Sequence, residues 1–183
     1  MKLLLHICCA PCSVKSVETL RNQGVDVTGF WYNPNIHPAM EYLTRLQTLE
    51  SYAASINLPL IREHEYGLRR FVREVVAEID NRCDFCYRDR LEKTARRALA
   101  DNFDAFSSTL FISPYQQHEK LVSYAEAIAI SVGIPFHYVD FRPYFREGQE
   151  RARECGLYLQ KYCGCIFSEE ERYRHQLEKR NRE

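Results

Sequence analysis

MKLLLHICCAPCSVKSVETLRNQ, residues 1–23, decides the fold class. KLLLHI is a short apolar run of strand length, and SVKSVETLRNQ spaces its apolar residues as a helix does, with Ser13 a candidate N-cap and Gly24 a C-terminal stop. Between the two sit Cys8, Cys9 and Cys12, so three thiols occupy a strand-to-helix junction.

The same alternation continues along the chain. VDVTGFWY reads as a second strand closed by the turn-rich NPNIHP, with the aromatic run FWY at 30–32 as strand core. PAMEYLTRLQTLESYAASI follows with Leu46, Leu49, Ala53 and Ile56 at helical spacing, then LPLIREH as a third strand. GLRRFVREVVAEI and FCYRDRLEKTARRALA read as helices, FDAFSSTLF as a fourth strand, LVSYAEAIAISV as an amphipathic helix and FHYVDF as a fifth strand. The chain closes on the charged helix SEEERYRHQLEKRNRE. Strands alternating with helices predict one α/β domain over 1–183, with a mostly parallel five-stranded sheet flanked by helices and a cysteine-rich helical C-terminal segment. Ligands in such sheets lie beyond the carboxyl ends of the strands. Cys8 and Cys9, the stretch Ser107 to Thr109, and Asp140 with Arg142 are therefore expected to converge on one crevice.

A chain of 183 residues can bury a core without disulfide staples. MKLLLHICCAPC is too short for a secretory leader and no stretch approaches a membrane span, which predicts a cytoplasmic protein. There, clustered cysteines bind metal or do redox chemistry more often than they form structural disulfides. Basic and acidic residues balance at 25 each, so net charge does not announce a nucleic-acid binder, although arginine far outnumbers lysine and suits an RNA substrate.

Seven of the eight cysteines form three groups: Cys8, Cys9 and Cys12; Cys83 and Cys86 in RCDFCYRDR; Cys163 and Cys165 in KYCGC. Cys155 stands alone and reads as a small buried hydrophobe. Cys83 and Cys86 lie three apart at a helix start, where the dipole favours thiolate. A second pair, Cys8 with Cys9 or Cys9 with Cys12, would complete a four-thiolate site for structural zinc or an iron–sulfur cluster. CGC can close into a strained, labile disulfide across its glycine, or add two more metal ligands.

As an ordered set, HICCAPC, RCDFCYRDRLEKTA, SSTLFISPYQQHEK, DFRP and GLYLQKYCGCIFS resemble the QueH-type epoxyqueuosine reductases over nearly the whole chain. The resemblance implies an α/β fold of the HUP, adenine-nucleotide hydrolase-like type. It implies reduction of epoxyqueuosine to queuosine at the wobble position of tRNA, with an external electron donor and no membrane partner. It also implies a [4Fe-4S] cluster on Cys8, Cys9, Cys83 and Cys86, a redox-active disulfide between Cys163 and Cys165, and an additional mononuclear metal ion for which Cys12 and Asp140 are candidate ligands. Asp140 is equally a candidate for proton handling, and Tyr115 and His118 for contact with the modified base.

Three rivals are weighed against this. A zinc-stabilised RNA-binding module would use the thiols structurally. An ATP-dependent tRNA thiolation enzyme needs a glycine-rich phosphate loop after the first strand, where this chain has CCAPCS. A general thiol-disulfide oxidoreductase explains CGC and leaves the other grouped cysteines without a purpose.

Overall fold

The computed structural model describes residues 1–180 and contains four strands in one all-parallel sheet, in the order β3-β2-β1-β4. The elements in chain order are β1 (Lys2–His6), α1 (Ala10–Asn22), β2 (Asp26–Trp31), α2 (Ala39–Ser55), β3 (Leu60–Arg62), α3 (Leu68–Val75), α4 (Arg82–Ala100), β4 (Ala105–Ser108), α5 (His118–Val132), α6 (Phe145–Glu154) and α7 (Ile166–Arg180). The expected continuation of the last helix over 181–183 lies outside the described residues.

β1 is central because it is apolar on both faces. Leu3, Leu4 and Leu5 are fully buried, and Leu3 pairs with Val27 on one side and Ala105 on the other. The chain moves from β1 outward through β2 to β3, then returns across β1 to β4. Right-handed crossovers in these opposite directions put α1 and α2 on one face and α4 and α5 on the other. The topological switch point falls between β1 and β4, where their carboxyl ends open towards Cys8 and Thr109. Leu4→Ala is expected to cost about 2–5 kcal/mol in denaturant unfolding, since the close-packed neighbours on its face of the sheet collapse only partly into the space.

The fifth strand is absent. FHYVDF makes one isolated parallel bridge, Phe106 with Phe136, with Phe106 N–H to Pro135 O at 3.0 Å and His137 N–H to Phe106 O at 2.9 Å. β4 is also shorter than expected. Ser108 Oγ accepts the Leu110 N–H at 3.1 Å and caps a 3-10 turn at Thr109–Ile112, so no extended neighbour remains for residues 138–141. Ser13 is not an N-cap. α1 begins at Ala10 with Cys9 as the N-cap residue and Pro11 in the first turn, where its missing N–H costs nothing, while Ser13 Oγ bonds back to Ala10 O at 2.7 Å. No helix among the described residues is long and apolar enough to cross a membrane.

FWY is core as expected, with Phe30 and Trp31 fully buried. Cys155 is exposed and not a buried hydrophobe: it follows the buried row of Gly148 and Ala152 but sits at the C-cap, past the last turn of α6.

Candidate functional site

Cys8 and Cys9 follow the carboxyl end of β1, and Cys12 lies in the first turn of α1, so the thiols gather at a helix N-terminus whose dipole favours negative sulfur. Their three Sγ atoms lie within 4.8 Å of one another, and Cys8 Sγ and Cys9 Sγ are 3.7 Å apart. Two sulfurs bound tetrahedrally to one metal at about 2.3 Å lie about 3.8 Å apart, so the donors fit a thiophilic metal site.

The trio shares its charge unevenly. Hydrogen bonds from Cys12 and Cys9, against the cost of burial, hold Cys8 well below the ordinary thiol value, with Thr109 and His6 adding to them. Burial pushes Cys9 up, and the hydrogen bond with Cys8 raises Cys12. Thr109 Oγ1 accepts the Cys8 N–H at 3.1 Å and donates to Cys8 Sγ at 3.4 Å, so the 3-10 turn that follows β4 reaches the trio across the switch point. From the C-terminal segment Gln160 Nε2 donates to Cys9 Sγ at 3.0 Å, while its buried Oε1 has no partner.

Beneath the thiols His6 ties three strand ends together. Its Nε2–H points at Tyr32 O and Asn33 Oδ1, both at 3.2 Å, which leaves Nδ1 to accept from Ser108 Oγ at 2.9 Å. Complete burial, with the Arg90 charge nearby, lowers its pKa to about 4 and keeps it neutral.

Cys83, Cys86, Cys163 and Cys165 line a second feature, a cleft of about 180 Å³ that also includes Asn35, Tyr87, Tyr115 and Gln116. Burial drives Cys86 up to about 12 and raises Cys83. One turn along α4, Arg90 is only 2 % exposed and donates from Nη2 to Cys86 Sγ at 2.9 Å and from Nε to Cys86 O at 3.1 Å. It has no carboxylate within 4.0 Å among the described residues, and the groups whose negative charge it feels are Cys86, Cys163, Cys8 and Tyr87. Thiolate sulfur is the natural counter-ion of this buried guanidinium. Arg90 thereby links the two thiol groups electrostatically.

The CGC segment is docked through its backbone. Arg45, held by Glu41 at 2.7 Å, donates to Cys163 O at 2.8 Å and Tyr162 O at 3.0 Å, and His37 N–H donates to Gly164 O at 2.7 Å. Gly164 has φ +152°, and a Cβ there would sit 3.2 Å from Ile36 and 3.4 Å from Arg45 Nη1. Neither thiol is in a disulfide: Gln116 Nε2 donates to exposed Cys163 Sγ at 3.3 Å, and buried Cys165 Sγ accepts the Ser168 N–H at 3.4 Å.

His37 makes this dock pH-sensitive. Its Nε2–H donates to Pro34 O at 3.1 Å and its Nδ1 accepts the Ile166 N–H at 3.3 Å, and burial pushes its pKa down to about 4. An unfolded histidine titrates near 6.5. As pH falls the unfolded chain takes up the proton first, so stability present above pH 6.5 is lost progressively towards pH 4, by at most about 3 kcal/mol for this group. His37→Asn, which keeps an acceptor near Ile166, is expected to flatten that part of the acid limb in thermal melts recorded from pH 7.5 to 4.

The structure thus brings Cys8, Cys9 and Cys12 into one tight group and Cys83, Cys86, Cys163 and Cys165 around one cleft. Tyr115 lines that cleft and is 85 % exposed. Asp140 pairs with Arg142 through two contacts of 2.9 and 2.7 Å and the Arg142 N–H at 3.0 Å, which lowers its pKa. His118 meets Tyr138 Oη at 2.9 Å. Arg45, Arg90, Gln160 and Asn35 escaped the sequence reading. Arg90 had a signal in its spacing, four residues after Cys86 on one helix face; the others are joined to the thiols only by the fold.

The family model described as epoxyqueuosine reductase QueH matches residues 3–171. A QueH epoxyqueuosine reductase of Dehalococcoides mccartyi is 42 % identical over 172 residues, covering 94 % of each chain. Those of Acinetobacter baylyi and Thermotoga maritima are 37 % and 32 % identical, each over 91 % of this chain and over 80 % and 89 % of their own lengths. With a match of this extent, and the thiol groups of its motifs assembled at the switch point and the cleft beside it, the chain belongs to the QueH epoxyqueuosine reductase family.

Proposed function

We propose that this protein reduces epoxyqueuosine to queuosine at the wobble position of tRNA, in the cytoplasm and with an external electron donor. The observation that carries the reading is the cleft in which the CGC dithiol faces Cys83 and Cys86, in a chain of this family. The parallel sheet with β1 at its centre is in keeping with a HUP-type ancestry.

Cys8, Cys9, Cys83 and Cys86 would hold a [4Fe-4S] cluster, with Cys12 left for an additional metal ion and Asp140, paired here with Arg142, as a further candidate ligand. When bound, such a thiolate-ligated cluster would supply single-electron transfer, and an additional metal ion with an open coordination position would supply Lewis acidity. The chain's own residues account for the rest of the balance. Oxidation of the Cys163 and Cys165 thiols to a disulfide releases two electrons and two protons; the epoxide takes up both, its two C–O bonds break, an alkene forms and the oxygen leaves as water. The external donor then returns the disulfide to the dithiol. Asn35, 97 % buried with Oδ1 unpartnered, and exposed Tyr115 are placed to hold the substrate ring in the cleft.

The test is anaerobic reconstitution with iron and sulfide, followed by incubation with epoxyqueuosine-containing tRNA and a reductant. Loss of one oxygen in the nucleoside mass is the expected result. An iron-loaded protein that leaves the mass unchanged rejects the proposal, and a colourless protein with one zinc per chain favours the structural-zinc rival.

A further inference from the structure

A surface depression near the thiol cleft has no role in the chemistry above. It encloses about 580 Å³ and is lined by Tyr66, Gly67, Leu68, Arg69, Arg70 and Arg73, from the start of α3. We propose that this face of α3 binds the ribose–phosphate backbone of the RNA next to the nucleotide held in the thiol cleft, with Arg69 and Arg73 as the phosphate ligands. The proposal rests on the tRNA reading above and adds where the polyanion lies.

Charge is the first argument. The chain is neutral overall, and many of its arginines are matched: Arg62 with Glu50, Arg82 with Glu171, Arg96 with Glu92 and Arg97 with Asp101. Within the depression Arg70 is likewise engaged by Asp89 and Glu65. Arg69 and Arg73 have no carboxylate within 4.0 Å among the described residues. They stand four apart on one exposed helix face, with their Cβ atoms about 6 Å apart, a like-charge arrangement that slightly destabilises an isolated helix. Glu74 lies about 100° further round, on the row of Arg70. Two adjacent guanidinium groups held in this way suit successive phosphates of one strand.

Continuity is the second. Gly67 and Arg70 line both the depression and a small gap beside it; Asn35, Phe71 and Cys86 line both that gap and the thiol cleft. A strand lying on α3 therefore sits next to the thiol cleft, separated from it by the wall that Asn35 and Phe71 form. The route is rigid at its turn, since Gly67 N–H donates to Pro34 O at 3.0 Å and a Cβ on Gly67 would come within 2.6 Å of Pro34 Cβ. Tyr66 is 42 % exposed and braced edge-on against Tyr42 and His37, which leaves its outer surface available for a neighbouring base.

The experiment measures binding of epoxyqueuosine-containing tRNA to full-length, iron-loaded protein by anisotropy across a potassium chloride series. Arg69→Gln/Arg73→Gln keeps helix propensity, and its folding is checked by circular dichroism and iron content. Each single-strand phosphate contact contributes about 0.7 to the slope of log K against log salt, so the double variant is expected to lower that slope by about 1.4 and weaken binding at least tenfold at low salt. Arg153→Ala, exposed on α6, serves as the control and should leave the slope unchanged. An unaltered slope in a folded double variant overturns the proposal, as does an equal fall with Arg153→Ala. Wild-type protein that does not bind the RNA at low salt overturns the tRNA reading itself, which separates the two failures.

Discussion

Serine at Cys163 or Cys165 is expected to leave iron content and visible absorption unchanged while turnover falls by more than about a thousandfold, the scale on which removing a covalently reacting group acts. Serine cannot form the disulfide, so the two electrons and two protons have no source within the chain. The docking of the segment should survive, because Arg45 and His37 grip its backbone carbonyls and not its sulfurs. Single-turnover assays without external donor sharpen the test: reduced wild-type protein should deoxygenate a stoichiometric amount of substrate and lose two free thiols, and neither variant should do so. Collapse of iron content in either variant would make these residues ligands and remove the redox role.

Arg90→Met is expected to act with opposite sign on the metal-free and metal-loaded protein. Without metal, Cys86 is driven towards its neutral thiol, and a guanidinium 2 % exposed beside it is poorly compensated. Replacing a poorly paired buried charge with an apolar side chain of similar volume is commonly neutral or stabilising by about 1–4 kcal/mol. If Cys86 ligates the metal as proposed, it does so as a thiolate, and the variant removes its buried counter-charge. Metal-loaded protein should then melt earlier than wild type, release iron faster to a chelator and show a more negative reduction potential, since added electrons meet less positive charge. Arg90→Lys should restore part of the potential without the geometry of the contact to Cys86 Sγ. An equal loss of stability in both forms would reduce Arg90 to a packing element.

Much of the fold was legible from local patterns. The apolar run of β1, the helical spacing in α2, α4 and α5, and the punctuation at Gly24 depend on neighbours within a few residues, and they appear where periodicity puts them. The fifth strand failed because FHYVDF has strand composition but needs an extended partner, and β4 turns away at Ser108. Ser13 has the chemistry of a cap, yet Pro11 can occupy the first turn and the helix starts earlier. Cys155 looked buried from residue type alone, and its exposure follows from its place at the C-cap, where α6 has run past the core.

The sequence by itself determined the donor chemistry of the site: three groups of thiols, a glycine between two of them, and a neutral chain rich in arginine, all properties of residue type and short spacing. Only the tertiary structure decided which of these act together. Two crossovers of opposite direction open a switch point between β1 and β4, which sets Thr109 on Cys8 and leaves room for Gln160 on Cys9. The same fold carries Arg90 to the sulfurs and brings Cys163 to Cys86 across the cleft. The physical reason is that helix and strand periods fix only the face on which a side chain lies, whereas burial of a charge or a thiol is settled by the distant segment that covers that face.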